Sequence, residues 1–129
     1  MSPEYKIKYA ILADVFAGNA QEISSTLTEE EIEDLWDENY DEVQDYKYEF
    51  REGQVETNIP CESSRHYESS SVAAQCPDGT WVGWTYWYGG GKHGEPEAID
   101  WIEHAYNLEC VEEEKLVIVR IFSKKNDSE

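Results

Sequence analysis

"SRHYESSSVAAQCPDGTWVGWTYWY", residues 64–88, decides the fold. Two runs suited to extended chain flank Pro77, Asp78 and Gly79, a combination that favours a tight turn. The second run is dominated by aromatic and β-branched side chains, which fit a pleated surface. The stretch therefore predicts an antiparallel hairpin. Alternation puts Trp81, Gly83, Thr85 and Trp87 on one face of the second strand and Val82, Trp84, Tyr86 and Tyr88 on the other. One face has to meet the core. The other face is either packed beneath a further element or exposed as an aromatic binding patch, and the pattern leaves both open.

The hairpin runs into a glycine-rich loop, residues 89–94, "GGGKHG". Backbone N–H groups of Gly89, Gly90 and Gly91, with Lys92 and His93 beside them, form a candidate site for a phosphate or carboxylate. Three features count against it. The Walker spacing is absent, because its first glycine would fall at Tyr86 and the residue after Lys92 is His93. The spacing of the Rossmann fingerprint is wrong, and Glu95 and Glu97 repel anions. A connection whose glycines take positive φ, or a loop that touches a partner, are the alternatives. Pro96 then opens a predicted helix with Ile99, Ile102 and Tyr106 on one face. Residues 108–122, "LECVEEEKLVIVRIF", read as a strand, a charged turn and the most apolar strand of the chain.

On the other side of the hairpin, residues 2–18 suit a helix. Ser2 is a candidate N-cap, Pro3 occupies the first helical position and Gly18 the stop. Tyr5, Ile7, Tyr9 and Ile11 also alternate as in a strand, but Ala10, Ala13 and Ala17 favour helix. Thr28 and Glu31 form a capping box for a second helix, with Ile32, Leu35 and Trp36 facing one way. Residues 41–59 alternate, with Gln44, Tyr46, Tyr48 and Phe50 on one face, and predict a strand pair turning at Gly53. The whole chain predicts a single α+β domain over residues 1–123: an antiparallel β-sheet with two to three helices packed on it. Residues 124–129 read as a disordered tail.

The chain has 129 residues and a net charge of −19. Direct binding of nucleic acid or anionic lipid is disfavoured, since it relies on Lys and Arg against phosphate. A basic protein partner is favoured instead. No apolar run is long enough to span a membrane, no leader is evident, and three separated cysteines point to a reducing, cytoplasmic setting. Motif chemistry is thin. His66, His93 and His104 lack paired-ligand spacing, and no CxxC or HExxH occurs, so no metal, cofactor or catalytic residue is assigned.

The acidic region is more specific. Between Glu29 and Glu62 the only lysines or arginines are Lys47 and Arg51. The carboxylates recur through ordered elements, so they stand at set positions, where they either form a solvated face or copy the charge spacing of a nucleic-acid backbone. Glu30, Glu33, Asp34, Asp37, Glu38, Asp41 and Glu42 are the candidate partner contacts, with Trp36 and Tyr40 as aromatic anchors.

The stretch "WVGWTYWYGGGKHGEPEAIDW", residues 81–101, resembles a motif of small uncharacterised acidic proteins of bacteriophage and prophage origin. The resemblance implies a context in which such proteins inhibit host defence, some of them as nucleic-acid mimics. The expected function is a non-enzymatic inhibitor, acting by anti-restriction or anti-CRISPR binding to the basic surface of a nucleic-acid-processing host protein. An immunity protein against a basic nuclease toxin, an anion-binding protein or enzyme built on loop 89–94, and a protein that assembles through its aromatic strand are the alternatives. Oligomeric state is left open.

Overall fold

A computed structural model describes residues 1–91 and 94–125. The elements follow the order α1 (Pro3–Gly18), α2 (Glu29–Glu38), α3 (Tyr40–Phe50), β1 (Val55–Glu56), β2 (Glu68–Gln75), β3 (Trp81–Tyr88), a 3-10 turn (Pro96–Ala98) and β4 (Tyr106–Leu108). Three helices and a four-stranded antiparallel sheet, ordered β1-β2-β3-β4, make one small α+β domain, as the patterning predicts.

The hairpin forms in full register, from Gln75 opposite Trp81 to Glu68 opposite Tyr88. Its turn is closed by Gly79 N–H donating to the Cys76 carbonyl at 2.8 Å and Cys76 N–H donating to the Thr80 carbonyl at 2.8 Å. The Asp78 carboxylate accepts from the Thr80 hydroxyl and backbone N–H, which holds its pKa below the usual value.

Val72, Ala74, Val82 and Trp84 join the core cluster with Ile7, Ile11, Leu12 and Val15 of α1. Ile7, Ile11 and Val15 recur every fourth residue, the helical period, and this overrides the strand-like alternation at the start of α1. The helix touches α2, α3, β3 and β4, so it needs an apolar surface wider than one stripe. Lys8 is buried among these contacts, 8% exposed. Its Nζ donates to both Glu33 oxygens at 2.9 and 3.1 Å and lies 5.3 Å from the centres of the Tyr5 and Trp36 rings. Burial pulls the Lys8 pKa down, but the bonds and charge of Glu33 and Glu4 outweigh it and leave the pKa raised. Lys8 therefore stays charged and pins α1 to α2.

Trp84 is the centre of the core. It is fully buried, stacks on Phe50 with ring centres 5.6 Å apart, and packs on Trp101 with ring centres 5.0 Å apart and a tilt of 38°. Its Nε1 donates to the Arg51 carbonyl at 2.8 Å, and Arg51 Nη1 donates to the Trp87 carbonyl at 2.9 Å. The end of α3 is thus bonded to β3 in both directions.

Three expectations are corrected. Residues 40–50 are helical, not the first strand of a pair. Val43, Tyr46 and Phe50 follow helical spacing toward the core, while Tyr48, which the alternation would bury, is 52% exposed. Gly53 does turn the chain, with φ of 75°, but from a helix into the two-residue β1. Second, the helix predicted from Pro96 stops after one 3-10 turn, because Ile99 is extended. The chain beyond it brings Trp101 against Trp84 and Ile102 into the core. Third, residues 109–125 form neither the predicted turn nor the predicted apolar strand and are exposed throughout. Glu112, Glu113 and Glu114 repel one another and supply none of the Gly, Asn or Asp that a tight turn favours. Lys124 and Lys125 belong to this exposed stretch, and the rest of the predicted tail, 126–129, lies outside the described residues.

The capping box is present, with Thr28 Oγ1 accepting from Glu31 N–H and Glu31 Oε1 accepting from Thr28 N–H, each at 3.2 Å. In urea unfolding followed by circular dichroism, Thr28→Ala is expected to lose about 1 kcal/mol. Trp84→Ala should lose about 3–5 kcal/mol, with Trp84→Phe between the two because it keeps the stack and loses the Nε1 bond.

Candidate partner-binding site

The acidic residues sort onto the outer sides of α2 and α3. At 100° per residue, Glu30, Asp34, Asp37 and Glu38 share an arc of about 100° on α2, opposite Ile32, Leu35 and Trp36. The four span roughly 12 Å of axis, a mean interval of about 4 Å, near the ~3.4 Å per charge of one DNA strand. On α3, Asp41, Asp45 and Glu49 recur every fourth residue with Glu42 beside them, opposite Val43, Tyr46 and Phe50. All eight carboxylates are exposed. Asn39 alone separates the two helices, so the stripes adjoin.

Little neutralises this surface. Among the described residues the ion pairs are Lys8 with Glu33 and Lys8 with Glu4. Lys47 lies on the half-buried side of α3. Arg51 is 7% exposed, with its guanidinium 4.6 Å from the Tyr48 ring centre and 5.1 Å from that of Tyr86. Among the described residues neither cation forms an ion pair with these carboxylates.

Of the residues proposed from sequence, Glu30, Asp34, Asp37, Glu38, Asp41 and Glu42 stand on this face, and Tyr40 is 57% exposed beside them. Glu42 also accepts from the Asn19 amide at 2.8 Å. Two residues leave the set. Glu33 is held by Lys8, and Trp36 is 8% exposed in the core, so it anchors α2 to the domain and not a partner. Asp45, Glu49 and Tyr48 belong on the face and were missed. The i, i+4 spacing from Asp41 was the available signal, hidden by reading residues 41–50 as a strand.

The strand of tryptophans divides as its alternation requires. Val82 and Trp84 are buried beneath the helices, while Trp81 and Trp87, on the outer sheet face, are half-buried. Two clefts open on that outer side. One, of about 640 Å³, is lined by Trp87, Trp101, Tyr106, Cys61 and His104 among others. The second, of about 430 Å³, includes Val55, Ile59, Trp81 and Leu108.

Gly89, Gly90 and Gly91 all take positive φ, 77°, 87° and 70°, a path that only glycine follows without strain. A side chain at Gly90 would collide with the Tyr67 ring, whose hydroxyl accepts from Glu95 N–H at 3.3 Å. Lys92 and His93, the charged members of the candidate anion site, lie outside the described residues. Among the described residues no group of three His, Cys, Asp or Glu side chains is placed to hold a metal ion. No helix among them is long and apolar enough to cross a membrane.

Comparison of the chain with protein-family models, curated proteins and solved structures gives no match.

Cys61 and Cys110 are exposed free thiols, whereas Cys76 is buried. Burial, with help from the Asp78 charge, pushes the Cys76 thiol up to about 11. At pH 8 only about one Cys76 in a thousand is thiolate, the reactive form. Iodoacetamide at pH 8 should therefore add to Cys61 and Cys110 in native protein and to Cys76 only after unfolding, as read by peptide mass spectrometry.

Proposed function

We propose that this protein is a non-enzymatic acidic decoy that binds the basic, nucleic-acid-contacting surface of a processing enzyme. The observation that carries the reading is the pair of adjoining helical stripes on α2 and α3, with eight exposed carboxylates that no ion pair neutralises among the described residues. A row of charges at a mean interval of about 4 Å offers a basic groove what a phosphate backbone offers it. Exposed Tyr40 and Tyr48 supply apolar contact beside the charge. The resemblance of residues 81–101 to phage and prophage proteins makes a bacterial restriction or CRISPR effector the proposed target, met in the host cytoplasm. Immunity against a basic nuclease toxin uses the same surface and the same physics.

A second reading has its own support. The 640 Å³ cleft lined by Trp87, Trp101 and Tyr106 suits a small planar ligand, with the acidic helices serving only solubility. Quenching of tryptophan fluorescence by such a ligand, lost in Trp87→Ala, distinguishes it.

The decoy reading is tested on a partner captured from bacterial lysate and eluted by salt. Affinity should fall steeply with ionic strength, chiefly through slower association. Glu30→Gln alone should cost about 0–1 kcal/mol. Replacing Glu30, Asp34, Asp37, Asp41, Asp45 and Glu49 together by amides should weaken binding by roughly 100-fold with the helical signal unchanged. The protein should displace nucleic acid from its partner. A salt-independent complex that leaves the partner's nucleic-acid binding untouched sinks the reading.

A further inference from the structure

Residues 109–125 leave β4 as an exposed arm. Within it Leu116, Val117, Ile118, Val119, Ile121 and Phe122 expose 76% to 103% of their surface. Scattered apolar surface residues are ordinary, but six in seven consecutive positions mark an interaction segment. The residues are strongly β-prone. Alternation puts Leu116, Ile118 and Phe122 on one face and Val117, Val119 and Ile121 on the other. A strand apolar on both faces belongs between covering layers, not in water.

We propose that residues 115–122 form a strand that docks on the outer sheet face of a second copy of this chain, and that two copies exchange these arms. The receiving surface is the 430 Å³ cleft, where Val55, Ile59, Trp81 and Leu108 provide apolar floor and Glu56 and Glu109 provide charge. The sheet around it is incompletely paired. β1 covers only two of the eight residues of β2, and β4 only three of the eight of β3, so both long strands keep open outer edges.

Charge selects the occupant. Residues 115–125 carry Lys115, Arg120, Lys124 and Lys125 and no carboxylate, whereas residues 1–114 carry six Lys and Arg against 27 Asp and Glu. The arm is therefore the basic, apolar complement of its own acidic body. Folding back within one chain requires a reversal between Leu108 and Lys115, where three adjacent glutamates and no Gly, Pro, Asn or Asp oppose a tight turn. Docking between copies needs no reversal, and an identical contact in each direction closes a two-fold dimer. Six side chains at about 60–120 Å² each expose roughly 350–700 Å² per arm. Docked by one face, two arms with the surface they cover then bury roughly 700–1,400 Å², reaching the range of specific interfaces.

The test uses the full chain and needs no target, so its outcome is independent of the decoy reading. Light scattering across a concentration series should give a dimer, twice the 15.0 kDa chain mass. Hydrogen exchange should find the amides of residues 116–122 protected. Ile118→Asp with Ile121→Asp changes one side chain on each face of the arm, both exposed in the single chain, so the domain keeps its circular dichroism while the dimer is lost. Val55→Asp, at the exposed edge of the cleft, should weaken the dimer independently. A monomer at every concentration overturns the proposal, whether its arm amides are open or are protected by docking in the same chain. A dimer indifferent to the arm substitutions also overturns it, because it assembles through another surface.

Discussion

The reciprocal bonding of Arg51 and β3 is the constraint on which the arrangement depends. Trp84 donates into the last turn of α3, and Arg51 donates back to the Trp87 carbonyl. A buried hydrogen bond to a charged group is stronger than a neutral one and is costly to break from one side. The link fixes the end of α3 against the middle of the sheet. Phe50, the residue before Arg51, then stacks on Trp84, and Trp101 packs against both rings. With that end fixed and Asn39 as the sole residue between α3 and α2, the acidic sides of both helices are committed to solvent.

Charge shapes the molecule as much as apolar burial does. A chain at −19 repels itself, and each carboxylate turned inward would add desolvation to that repulsion. The fold keeps the carboxylates outside and buries two of its ten cations, Lys8 between α1 and α2 and Arg51 between α3 and β3. Both are cation–aromatic sites as well as hydrogen-bond donors. Spending cations on the interior leaves the α2–α3 face uniformly negative, which is the property the proposed function uses. The basic arm differs, with four cations and no carboxylate over residues 115–125.

The two sheet faces divide the aromatic residues by role. Trp84 serves the core, while Trp81 and Trp87 border clefts on the outer face. Acidic helices on one side and an aromatic sheet surface on the other give the domain two chemically different surfaces, one fitted to a basic partner and one to apolar chain.

Local chemistry alone determined several features. The turn at Asp78 and Gly79, the hairpin alternation, the capping box at Thr28 and the helix after Pro3 were legible because neighbouring residues make the deciding interactions. The acidic character of residues 29–62 was legible for the same reason. Tertiary packing decided the rest. Tyr46 and Phe50 satisfy both a strand and a helical period, and only the contact of Phe50 with Trp84, far away in sequence, selects the helix. Trp36 and Glu33 read as surface residues until α1 is seen to cover one and Lys8 to bind the other. Residues 96–106 read as a locally good helix, yet the chain leaves it after one 3-10 turn and packs Trp101 on Trp84. The apolar arm shows the same division, since its β preference is written in the chain but no strand among the described residues pairs with it.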